Sequence, residues 1–217
     1  MASNTFLKKE LLSSSWSLYK KHAGILVLMF VISLLVTLAS YGNRTIGWGV
    51  PSFLFSLLSM FVTMANIVIV LSIVRGTYTT IKAAFTNTVT SITPKQFLVY
   101  IITSILYGVM VGLGGLLLIV PGVIFALMFM FYGLAILDEN LSVFKSLSRS
   151  QEITKGHRWN MFLMGLIIGL LVIVSAIPFG VGLFITVPLA TLVMVSMYTF
   201  LKKNYAETPV VEVSVAE

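Results

Sequence analysis

The 217-residue sequence predicts an all-α integral membrane protein: six transmembrane helices in three hairpins, each preceded by a cytoplasmic amphipathic helix. Three observations carry that prediction. Hydrophobic residues make up 58% of the chain and charged residues 10%, too little polar surface for a fold that must cover itself in water. The apolar residues gather in three stretches, 23–74, 96–137 and 159–201, in which Arg44 is the only charge. Each is about twice the ~20 residues that one helix needs to cross the hydrocarbon. Lysine and arginine are also distributed unevenly: of the 14, all but Arg44 fall on one side of a six-span arrangement, which makes that side cytoplasmic.

The spans follow from the breaker at the middle of each stretch. The first is interrupted at Tyr41, Gly42, Asn43 and Arg44 and again at Pro51, giving spans near 24–41 and 52–74. The second carries Pro121 and Gly122, giving 97–119 and 121–137, the latter short enough that a re-entrant hairpin around Pro121 is its alternative. The third has Pro178, Gly180 and Gly182, giving 159–177 and 180–201. Proline removes a helix donor and clashes with the preceding turn. Strands are excluded because an open sheet edge has no partner in lipid. Trp48 falls at the outer boundary and Trp159 at the inner one, where amphipathic rings settle. The apolar run at 24–40, with Thr37 and Ala39, could imitate a signal peptide. The leader before it is itself helical in pattern and too long, so the run reads as an uncleaved span. Residues 204–217 carry three glutamates and no base and read as a disordered acidic tail.

Internal repetition supports the three units. At an offset of 57, Gly108, Gly112, Leu113 and Pro121 match Gly165, Gly169, Leu170 and Pro178. The shared G-x-x-x-G puts two glycines on one helix face, where a neighbouring backbone can approach, so all four are helix-packing candidates. At an offset of 135, residues 12–35 match 147–170 at nine of 24 positions, among them Ser13/Ser148, Ser15/Ser150, Lys20/Lys155 and His22/His157. These matches read as a duplicated unit, a polar helix followed by a span.

Two segments carry amphipathic helix patterns. In 6–22, Leu7, Leu11, Leu18 and Trp16 oppose Lys9, Glu10, Lys20 and Lys21; in 139–156, Val143, Phe144 and Leu147 oppose Lys145, Arg149 and Glu152. Such helices lie among headgroups, with lysines toward anionic lipid. Ser142, Ser146 and Ser150 form a stripe at i, i+4 and i+8 that permits close contact with another helix, and Gly156 is a natural stop before the fifth span.

Little in the sequence points to reaction chemistry. No Asp, Glu, Lys, Arg or His lies inside a predicted span, which argues against proton pumping and ion-coupled transport. His22 and His157 are the only imidazoles and have no converging acid cluster, so neither a metal nor a cofactor is expected. Asp138 and Glu139 are adjacent, point in different directions on a helix, and read as a membrane stop and, with Asn140, as the cap of the next helix. No catalytic residue is expected. Asn66 is the one carboxamide deep in a span, and interhelical hydrogen bonding is its expected role. The basic residues flank apolar runs rather than forming one face, which points to membrane lipids and away from nucleic acid.

From Gly114 the run GGLLLIVPGVIFALMFMFYGLAILDENLSVFKSLSRSQEITKGHRWNMF has a familiar pattern, carried by Pro121, Gly122, Glu139, Ser150, Thr154, Lys155, Gly156 and Trp159. Over residues 79–203 the chain resembles the bacterial YciC-type integral membrane proteins of uncharacterised function. That group is similar to the membrane domain attached to some glycerophosphodiester phosphodiesterases. The resemblance implies an all-helical fold in the bacterial plasma membrane. The phosphodiesterase activity belongs to a separate soluble domain in those relatives and is not expected here.

The expected function is therefore non-enzymatic: a structural or assembly role in the cell envelope, through contacts with a second copy or another membrane protein. A transporter or channel for a neutral or lipid-like solute is the alternative. A membrane enzyme ranks third and would need His157, Asp138 and Glu139 to converge.

Overall fold

The computed structural model describes residues 3–46, 50–78, 80–177 and 180–207, and among them every regular element is a helix. Six of these helical segments are long and apolar enough to cross a membrane: Lys9–Ser40, Phe53–Val74, Pro94–Leu117, Ile119–Glu139, Arg158–Ala176 and Leu183–Tyr205.

The first helix, α1 (Ser3–Ile46), changes direction at His22, whose φ of −120° and ψ of 21° leave the helical region. The His22 ring meets Tyr78 edge-on at 5.1 Å. Tyr78 lies just beyond α2 (Val50–Val74), so the bend and the end of α2 sit together. A short helix, α3 (Ile81–Ser91), then leads to α4 (Pro94–Leu117). Thr93 caps α4 in a capping box with Gln96, and Pro94 occupies a first-turn position where its missing N–H costs nothing.

The α4–α5 turn lies three residues ahead of the predicted one. The chain turns at Leu118, whose φ of −164° and ψ of 147° are extended, and α5 (Ile119–Phe129) starts before Pro121. Pro121 therefore sits in the first turn of a helix. Gly122 packs against Gly115, so closely that a Cβ there would lie 2.8 Å from the Gly115 nitrogen. Gly114 is equally constrained, its missing Cβ lying 2.8 Å from the Phe125 ring. The turn after α8 (Arg158–Ala176) contains Gly180 at φ +75°, a left-handed conformation that suits glycine. The expectation for Pro178 falls outside the described residues.

The fourth apolar segment is two helices. α5 ends at Phe129 and α6 (Tyr132–Glu139) begins after a break at Met130 and Phe131. Asn140, at φ 52° and ψ 40°, ends α6, and the N-cap of α7 (Val143–Thr154) is Ser142. Asp138, Glu139 and Asn140 thus close one helix rather than cap the next. The last helix, α9 (Leu183–Glu207), runs into the first residues of the expected tail, and 208–217 lie outside the described residues.

The spans form two layers. In α2, α5–α6 and α9, 39%, 44% and 39% of the apolar window is buried, against 17%, 17% and 11% in α1, α4 and α8. The second member of each sequential pair is therefore inner and the first is peripheral. The core between the inner helices is built from Met64, Ile69 and Val70 of α2, Phe131 and Ile136 around α6, and Leu192 and Val193 of α9. Against this core α1 packs on α2 and α9, and α8 packs on α9 and α5.

Candidate functional site

The most polar constellation among the described residues lies where the three inner helices end. α2 ends with Arg75 one residue beyond Val74, and Gly76, at φ +72°, turns the chain away. α6 ends with Asp138 and Glu139. On α9, Tyr198 and Lys202 are four residues apart and so share one face. Arg149 comes from α7, which folds back beneath the ends of the spans.

These six side chains form one network. Asp138, only 2% exposed, pairs with Arg75 through Oδ1 and accepts from Lys202 Nζ at 2.7 Å through Oδ2. Glu139 accepts from Lys202 at 3.0 Å and from Arg149 Nε at 3.1 Å. The Tyr198 hydroxyl lies 3.0 Å from Asp138 Oδ2 and 3.1 Å from Glu139 Oε1, so its single hydrogen is shared between two carboxylates. Arg149 also reaches Glu152 at 3.5 Å and lies 5.0 Å over the Tyr205 ring. Burial works against the Arg149 charge, but Glu139 and Glu152 outweigh it and hold the guanidinium above its ordinary range.

With Glu152 added to the six, three cations face three carboxylates, so the cluster is neutral as a unit. Adjacent acids on a helix do diverge at Cβ, which is why they read as independent in sequence. Here both reach the same tyrosine and lysine because α9 lies against the end of α6. A carboxylate held by two cations is a poor general acid at neutral pH, and no nucleophile sits within the network. The hydrogen bonds of His157 are backbone ones, to Thr154 and from Met161, and do not reach the acids. No group of three His, Cys, Asp or Glu able to hold a metal occurs among the described residues. The arrangement fastens helices together.

A second polar joint explains the serine stripe. The break between α5 and α6 leaves backbone groups of Met128 and Phe131 without their helical partners. Ser150 accepts from the Phe131 N–H at 3.1 Å and donates to the Met128 carbonyl at 3.0 Å; Thr154 donates to the same carbonyl at 3.3 Å. Ser146, Ser150 and Thr154 are all fully buried. A polar face on α7 thus repairs an interruption in a span, as buried backbone groups require.

The predicted packing residues are placed differently. Added Cβ atoms at Gly108, Gly112, Gly165 and Gly169 would meet nothing within 4 Å, so neither G-x-x-x-G face packs against another part of the chain among the described residues. Close packing falls instead on Gly114, Gly122 and Gly182, the last with Ser175 2.7 Å from its missing Cβ. Asn66 is half-buried in α2 and makes no side-chain hydrogen bond among the described residues.

The ion-pair cluster was the feature missed from sequence. Its signal was present: Arg75, Asp138 with Glu139, and Lys202 each stand at the end of a returning span. No curated protein and no solved structure matches the chain. A family model described as a domain of unknown function, DUF7847, matches residues 67–214, a stretch that holds every member of the cluster. The chain therefore belongs to the DUF7847 family.

Proposed function

We propose that this is a non-enzymatic, multi-pass protein of the bacterial plasma membrane with a structural or assembly role in the cell envelope. Its spans form three hairpins led by amphipathic helices, with both termini cytoplasmic. A relationship to the YciC-type membrane proteins, which the sequence resembles over residues 79–203, is part of the same proposal.

The observation that carries it is the outward placement of the two G-x-x-x-G faces on the peripheral helices α4 and α8. In lipid, a groove of small residues favours a close helix–helix contact. Among the described residues nothing occupies either groove, so the partner in this reading is a second copy or another membrane protein. The self-compensated cluster supports the same reading, because its charges are spent on holding helices rather than on a substrate.

Backbone geometry gives the transporter alternative less support. Discontinuous spans in transporters present free helix ends to solute, whereas the break at Phe131 is closed by Ser150 and Thr154. Three hairpins are further supported by equivalent positions of the 135-residue offset: His22 and His157 have nearly the same φ/ψ, at −120°/21° and −111°/0°. Ser15 and Ser150 are both fully buried, as are Met29 and Met164 nearly so.

The test is assembly in membranes. Gly165→Leu with Gly169→Leu should reduce cross-linked or co-purified assemblies severalfold and leave the melting temperature of the protein itself unchanged. Undiminished assembly with that pair, and with Gly108→Leu and Gly112→Leu, sinks the proposal.

A further inference from the structure

A second polar region lies apart from the ion-pair cluster, in a cleft of about 210 Å³ between the start of α4 and the α6–α7 turn. Lys95 and Lys145 enter it from two different helices, and no carboxylate lines it. Neither lysine has an acidic partner among the described residues. Elsewhere at this end the cations Arg75, Arg149 and Lys202 are each neutralised. Lys20, Lys155 and Arg158 also lack an acidic partner among the described residues, but Lys95 and Lys145 differ from them in lining one cleft with no carboxylate.

The other walls point the same way. Gln96 lines the cleft and is only 8% exposed. Its Oε1 is occupied by the Thr93 N–H at 3.1 Å and the Thr93 hydroxyl at 3.2 Å. That leaves its amide hydrogens as donors with no protein acceptor among the described residues. Ser142 also lines the cleft and is the N-cap of the 12-residue α7, yet its side chain makes no capping bond. The first-turn N–H groups of α7 therefore lack a side-chain acceptor, and the 24-residue α4 begins at the same cleft. Asn140 and Ser142 can each donate or accept, and every charge that lines the cleft is positive. Val99 and Leu141 add an apolar wall at the level where α4 enters its apolar window.

We propose that this cleft binds a phosphate group. Ammonium groups and an uncapped helix start, here that of α7, complement phosphate oxygens, and basic pockets between membrane helices at the headgroup level take anionic lipid heads. The group is either the head of an anionic phospholipid or free phosphate. This inference does not depend on the assembly reading.

The experiment uses the full chain purified in a non-ionic detergent. Native mass spectrometry compares retention of phosphatidylglycerol with that of phosphatidylcholine, and 31P line broadening reports on inorganic phosphate. Wild type should prefer phosphatidylglycerol, and Lys95→Gln with Lys145→Gln should weaken that preference roughly thirtyfold, the change expected for two lysines. A control pair on the same side but outside the cleft, Lys20→Gln with Lys155→Gln, should leave it within about twofold. Broadening of inorganic phosphate by wild type and not by the Lys95/Lys145 variant assigns the site to free phosphate; lipid preference without broadening assigns it to a headgroup. If neither probe distinguishes wild type from that variant, or if the control pair lowers binding equally, the proposal is wrong.

Discussion

Replacing Asp138 by asparagine keeps the side chain's size and removes one negative charge from the centre of the inner-helix junction. Asp138 is 2% exposed and holds Arg75 of α2 and Lys202 of α9, which are 41% and 30% exposed. Stranding the partner of a fully buried ion pair costs about 3–5 kcal/mol. Both cations here can turn partly toward water, and Lys202 keeps Glu139, so a loss of about 2–4 kcal/mol is expected. For a chain of this size that is a fall in melting temperature of roughly 5–12 °C. The measurement is thermal unfolding in detergent, followed by size exclusion of the surviving fraction. A double-mutant cycle with Lys202→Met separates the pair from general damage: the two losses should overlap, with a coupling of about 1–3 kcal/mol. If Asp138→Asn melts with the wild type, or if the two losses simply add, the cluster does not hold the inner helices together.

Tyr198→Phe keeps the ring against Phe131 and removes only the shared hydroxyl, so it should cost about 1.5 kcal/mol, the low end for a bond to a charged group. Ser150→Ala leaves the Phe131 N–H without an acceptor while Thr154 still serves Met128, which predicts a loss of about 1–3 kcal/mol by thermal melting. Recovery with Ser150→Thr would confirm that the hydroxyl, not the volume, matters. Gly122→Ala should destabilise by more than about 1 kcal/mol because its Cβ meets backbone at 2.8 Å, whereas Gly108→Ala should gain a few tenths from helix propensity. Equal melting of those two variants would refute the close α4–α5 packing.

Element type and approximate span positions were legible in the sequence because lipid imposes a simple rule: a crossing needs about 20 apolar residues. The two turns that could be compared show the limit of that rule. Pro121 marked a nearby break but not its position, since proline tolerates the first turn of a helix as readily as a loop. The break at Phe131 had no local signal, as Met130, Phe131 and Tyr132 would all sit comfortably in a span. Its signature was 20 residues downstream, in Ser150 and Thr154, where the stripe of small hydroxyl residues suggested close contact without naming the partner. Glycine spacing likewise marked a smooth helix face at Gly108, Gly112, Gly165 and Gly169 but could not tell whether the chain itself would fill it.

The position of the ion-pair cluster follows from the same solvent argument. Apolar helices in lipid have no hydrophobic reason to prefer one neighbour over another, so polar contacts must choose the order. A charge near mid-membrane costs ~2.5–3.5 kcal/mol on insertion scales, whereas at the end of a span it remains close to water. Arg75, Asp138 with Glu139, and Lys202 take the cheaper position at the ends of α2, α6 and α9. Their signs make the pattern selective: the apolar stretches of α2 and α9 are both followed by cations, which repel each other unless α6 brings its two acids between them. Tyr198, fully buried, extends that preference one turn deeper into the apolar layer. The inner layer can therefore close with α6 joining α2 to α9, and an arrangement that moved α6 out from between them would strand a charge.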